Sequence, residues 1–236
     1  MRTLLLFICL LVTAASLFAQ QQPTLSFKGI RVGMTVAELR TWLAESNFEP
    51  LRENLDTARN VILRPQAQDT VAGRSIGSAT SCIYLNSVHV GLYHGTVYAI
   101  YATLTDINGN SESRIKDDVD ILVAALTDRY GASRSHHTVT QRAIDSAHYK
   151  RHYYPHFAEW KWFTTQQRKR ITTHSIDVYL TYSESADRFT IWVSMTDDVA
   201  LKRAADEELQ ESDREEQQRQ KQRDYDRAHP KMQTKF

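Results

Sequence analysis

Met34-Thr35-Val36-Ala37-Glu38-Leu39 is the stretch on which the fold turns. Thr35 can cap the amide of Glu38 while the Glu38 carboxylate reaches back to the amide of Thr35. Met34 and Leu39 stand where a hydrophobic staple closes over that reciprocal pair. The spacing therefore predicts a helix that begins at Val36. Val36, Leu39, Trp42 and Leu43 form its apolar stripe, and it runs out near Ser46. Upstream, Leu25, Phe27 and Ile30 predict a short strand ending at Gly33.

Downstream the apolar period changes from 3.6 to 2. Short strands are expected at 47–51 and 61–63, the second stopped by Pro65. Residues 66–81, with Gly73, Gly77 and several hydroxyl side chains, read as a loop. Residues 83–93 and 97–104 alternate well and enclose His94-Gly95, which predicts a hairpin with a two-residue turn. A second helix is predicted over 113–130, with Ile115, Val119, Leu122, Val123 and Leu126 on one face and Gly131 just past its end. A weak strand at 138–141 and stronger ones at 157–163, 176–182 and 189–195 follow.

The two stretches thus share an order of elements, a helix followed by an antiparallel meander, without a residue-level repeat. The expected fold class is α+β. Tandem helix-plus-meander halves, 20–110 and 111–197, form one curved sheet with the helices on one face, so that both apolar stripes are buried together. From 198 to 236 a charged helix or tail is expected. Val199, Ala200, Leu201, Ala204, Ala205 and Leu209 give it an apolar edge at first. Beyond Leu209 it is held only by charge pairs four apart, such as Glu215 with Arg219.

The N-terminus sets the expected compartment. Arg2 precedes an apolar run from Leu4 to Val12, and Ala14, Ala15, Ser16 and Ala19 supply the small residues of a cleavage site before Gln20. Residues 1–19 are expected to be a signal peptide, too short to span a bilayer, and the protein to be exported, periplasmic or secreted. Without Arg2, 28 basic residues face 28 acidic ones, a balance that disfavours nucleic acid as a partner. Without Cys9, Cys82 has no partner for a disulfide and reads as a small core residue.

The run Gly29-Ile30-Arg31-Val32-Gly33-Met34-Thr35-Val36-Ala37-Glu38-Leu39 resembles the opening of modules in the β-lactamase-inhibitor-protein-like and outer-membrane assembly lipoprotein (SmpA/OmlA) groups. The whole course resembles exported, uncharacterised proteins common in Bacteroidetes. It shares their Leu122, Leu126, Tyr130-Gly131 helix end, a late Trp160 strand and the closing Val178, Leu180, Tyr182 strand. The resemblance implies tandem halves forming one curved sheet over 25–209 and carries no established activity. The inhibitor group's binding function does not transfer, because no residue of its binding surface can be matched here. The lipoprotein group's acylated cysteine is missing.

The densest polar cluster is 145–156. His148 and His152, four apart, with Asp145 three before, have spacing that suits one metal on a helix face. No Glu follows His148, so the two-histidine zinc protease motif is absent, and two or three ligands fall short of a closed site. The bland reading is an exposed aromatic and basic loop. His136-His137 point to opposite faces of any strand, so at most one can join that cluster. Trp160 and Trp162 flank Lys161 and share one side of their strand. On the helix-covered side they are core; on the open side they form an aromatic platform with Tyr179 and Trp192. Lys161, Arg168, Lys169 and Arg170 read as an ordinary basic turn.

No nucleophile elbow and no glycine-rich phosphate loop is present. The function expected is a non-enzymatic exported module, without cofactor or metal, that binds a protein or glycan in the cell envelope. The rivals are a metal-dependent or glycan-acting hydrolase centred on His148 and His152, and an assembly or structural factor of the envelope acting through the tail.

Overall fold

The computed structural model describes residues 23–51, 55, 58–76, 79–106, 112–137, 140, 142–143, 155–183 and 188–228. The capping box forms as the sequence dictates. Glu38 N donates to Thr35 Oγ1 (3.2 Å), Thr35 N donates to Glu38 Oε2 (2.8 Å), and helix α1 runs Val36–Glu45. The strand expected before it is a tight hairpin, β1 (Ser26–Phe27) against β2 (Ile30–Arg31). Lys28 and Gly29 both take positive φ, which a two-residue type I′ turn requires.

Next come β3 (Phe48–Pro50), β4 (Asn60–Pro65), β5 (Thr70–Ile76), β6 (Ala79–Tyr93) and β7 (Thr96–Asp106). Most of the loop expected at 66–81 is strand, β5 and the start of β6. The β5 backbone pairs with the outer arm of β6, Gly73 opposite Cys82, so amides that a loop would leave to solvent are satisfied in a ladder. Helix α2 (Glu112–Tyr130) follows, then β8 (Ser135–His136), β9 (His156–Gln166), β10 (Lys169–Ser183) and β11 (Arg188–Asp197). The weak strand expected at 138–141 lies just after β8 and largely outside the described residues. Of its residues only Thr140 lies among those described.

The large sheet runs β3-β4-β6-β7-β11-β10-β9-β8, antiparallel throughout and open at both edges, with β5 added beside β6. Each half lays its strands from the rim inward, and the last strand of each, β7 and β11, pair at the centre. Ala102 there stands opposite Val193. The tandem architecture is therefore visible in the strand order itself.

Register decides which side chains go where. Val88, Val90, Ile100, Ala102, Leu104, Ile191, Val193, Met195, Ile176, Val178, Leu180 and Trp160 alternate onto one side. Leu39 of α1 joins that core, as do Ile115, Val119, Leu122, Val123 and Leu126 of α2. Asp118, wholly buried, stands in the same α2 stripe. The C-terminal end of α2 is tied to the N-terminal hairpin: the Tyr130 hydroxyl accepts from Ser26 N (3.1 Å) and donates to Ser26 O (3.0 Å), and Arg129 reaches Ser26 Oγ.

Helix α3 (Asp198–Ala228) is continuous. Asp197 caps it by accepting from Val199 N and Ala200 N (3.0 and 2.9 Å). The expected Glu215–Arg219 pair is present at 3.2 Å, and Gln220 donates to Asp224 one turn on. The expected apolar edge is shorter than its sequence, however. Leu201 and Ala204 are half-buried, while Leu209 is 63 % exposed.

Candidate binding surface

The residues between the core positions form the other side of the sheet. Ser87 and His89 of β6, Tyr101 and Thr103 of β7, Trp192 and Ser194 of β11, Asp177 and Tyr179 of β10, and Glu159 and His156 of β9 share it by register. A row of rings crosses it. The His156 and Tyr179 ring centres are 5.5 Å apart; Tyr179 and Trp192 are parallel within 7° at 6.0 Å; Trp192 meets His89 edge-on at 5.6 Å. Trp192 Nε1 donates to Thr181 Oγ1 (2.8 Å), which fixes the indole.

Around the rings, the polar side chains of the sheet are bonded to one another. Ser87 Oγ and Thr103 Oγ1 are 2.8 Å apart, Thr105 donates to Asn86 (3.1 Å), and Ser175 Oγ and Thr196 Oγ1 are 2.8 Å apart. Burial lowers the affinity of His89 for a proton, so its ring meets Trp192 as a neutral imidazole at neutral pH. Asp177 titrates above the ordinary aspartate range. Burial is the main cause and the Glu159 charge the second, with His156 and Lys161 opposing both.

One end of this side is covered. Asp198 at the start of α3 accepts from Ser175 (3.0 Å) and Thr196 (3.2 Å). The helix then crosses from the second half to the first. The Tyr93 hydroxyl donates to Glu207 (2.7 Å), His94 lies 3.4 Å from the same carboxylate, and Arg59 pairs with Glu211. These contacts hold Glu207 below its ordinary range, through the Tyr93 hydrogen bond first. Tyr98 and Tyr101 titrate above theirs, chiefly because they are buried. Beyond Leu209, where the apolar edge ends, the pair of Glu211 with Arg59 still ties α3 to the first half, so polar contacts hold the helix where apolar ones run out.

The expected platform divides. Trp160 stands opposite Ile176 in the register, so it faces the helices, is 2 % exposed and donates from Nε1 to Gly131 O (2.8 Å). Trp162 shares that side, half-buried, with its ring 6.3 Å from Tyr130. Tyr179 and Trp192 lie on the opposite side. Four aromatic residues read as one surface are therefore two pairs, one in or against the core and one on the open face. The sequence reading missed His89 and His156 as members of the row. His89 sits between Val88 and Val90 in an alternating strand, and parity alone could have placed it.

His148, His152 and Asp145 lie outside the described residues. Their segment joins Ala143 to Pro155, and both of those border a cavity of about 470 Å³ that is also lined by His136, His137 and His156. Among the described residues no group of three metal-ligating side chains is assembled. The Cys82 side chain also falls outside the description, although its backbone is paired within β6. No helix among the described residues is long and apolar enough to cross a membrane. The chain matches no family model, no curated protein and no solved structure.

Proposed function

We propose that the protein is an exported, non-enzymatic binding module that docks a protein or glycan against the open sheet face carrying Tyr179 and Trp192. The observation that carries this reading is the ring row set among polar side chains already bonded within the sheet. Such a surface asks for no hydrogen bond from its ligand, and the rings supply contact area with little entropy to lose. Aromatic side chains framed by polar groups are also the usual anatomy of a contact centre. The leader-like residues 1–19 support export, and the tandem order supports the resemblance to inhibitor-protein-like and SmpA/OmlA-like modules.

A photo-crosslinking residue placed at 179 or 192 tests the reading in the envelope fraction. It captures a reproducible partner, whereas the same residue at exposed Leu51 does not. Equal capture from position 51, or turnover of a substrate by the purified protein, contradicts it. A second reading, contact through α3, is favoured by the exposure of that helix beyond Ala204. Removing 206–236 separates the two: capture at 179 and 192 persists under the first reading and is lost under the second.

A further inference from the structure

Resting on the docking-face reading, we infer that the occupant of this face presents a positively charged side chain, a lysine or arginine of a partner polypeptide, to the Tyr179–Trp192 pair and the carboxylates of Asp177 and Glu159. These two acids are direct cross-strand partners on the open side. Like charges placed opposite each other work against a sheet. They are also partly desolvated, their side chains being 20 % and 26 % exposed. Asp198, under the start of α3, adds a third negative charge that Asp177 senses.

Among the described residues, the permanent cations near these acids are Lys161 and, at the end covered by α3, Lys202 and Arg203, which line a cleft with Lys161 and Asp198. Lys161 is engaged with Glu159, and His156 Nδ1 lies 3.6 Å from Asp177 Oδ1. Burial first and the Glu159 charge second keep Asp177 above its ordinary range, and an incoming cation opposes the second of these. Two residues along β10 from Asp177, on the same side, Tyr179 begins the ring pair. An ammonium or guanidinium held by the carboxylates is thereby brought beside aromatic rings, where a desolvated cation is further stabilised. Guanidinium suits the site best, because it is planar, weakly hydrated and able to bridge two carboxylates. An anionic glycan meets repulsion from the same groups.

Hexa-arginine, hexa-glutamate and a neutral β-linked hexasaccharide, each titrated into the full chain at low salt with calorimetric detection, test the inference. Hexa-arginine is expected to saturate. The Asp177→Asn/Glu159→Gln double variant and Trp192→Ala each weaken it about tenfold, which is ~1.4 kcal/mol. Glu215→Gln/Glu216→Gln, on the exposed length of α3, leaves its affinity unchanged, which excludes non-specific binding to that acidic stretch. Absence of hexa-arginine binding, equal affinity in the Asp177/Glu159 variant, or loss only in the α3 variant overturns it. If the hexasaccharide or hexa-glutamate binds instead and Trp192→Ala abolishes that binding, the docking face stands and the cationic occupant falls. If Trp192→Ala affects none of the three probes, both readings fall.

Discussion

The two sides of the central sheet are written into the same strands and differ at every step. On β7, Ile100, Ala102 and Leu104 face the helices, while Tyr101 and Thr103 face away; on β11, Ile191, Val193 and Met195 alternate with Trp192 and Ser194. The helix-covered side is continuous apolar packing. The other side is rings set among hydroxyls and a cross-strand pair of acids, Asp177 with Glu159. Both sides contain tryptophan, yet Trp160 contributes by being removed from water and Trp192 by staying at its boundary. The type of residue says less about its task than the phase in which the strand presents it.

The comparison breaks most sharply at those two indoles. Trp160→Ala empties a packed site and forfeits the Gly131 bond, at a cost of about 3–5 kcal/mol in denaturant unfolding. Trp192→Ala, half-buried on the open side, costs about 1–2 kcal/mol by the same measurement. Equal costs would show that the sides do not differ as described. Gly91 sharpens the picture where α3 covers the open side. A Cβ there lies 2.8 Å from the Tyr98 ring, so Gly91→Ala displaces that ring and lowers stability by about 1–3 kcal/mol. Thr35→Ala removes the cap of α1 and costs about 1 kcal/mol, with no effect on the open side.

Asp177 gives the smallest effect and a diagnostic sign. Its folded-state affinity for a proton exceeds that of the unfolded chain, so the native state holds more protons than the unfolded one as pH rises through the ordinary aspartate range. Its contribution therefore falls as pH climbs through the folded titration, the reverse of a salt-bridged aspartate. Asp177→Asn is expected to raise the melting temperature at pH 7 and to lose that advantage at pH 3. A fall at pH 7 would mean that His156 and Lys161 outweigh burial and Glu159.

Much of this was legible in the sequence, because it is local. The capping box, the α2 stripe and the His94-Gly95 hairpin are each decided within a few residues. The basic turn between β9 and β10 was legible in its place but not in its conformation. Gln167 and Arg168 both take positive φ without a glycine, and the tertiary pairing of β9 with β10 enforces what no turn residue announces. The side on which Trp160 and Trp162 lie depends on their register with Ile176 and His174, and a bulge near Thr173 intervenes. One strand cannot supply that. The docking of α3 is less legible still, since Glu207 and Glu211 find Tyr93 and Arg59 more than a hundred residues away.

Hydroxyl-radical footprinting of the native full chain, read residue by residue by mass spectrometry, tests directly that the side bearing Trp192 is the open one. The account predicts oxidation at Trp192 and Tyr179 and protection of Trp160 until the protein unfolds. Protection of Trp192 equal to that of Trp160, or oxidation of Trp160 in the native state, would contradict it.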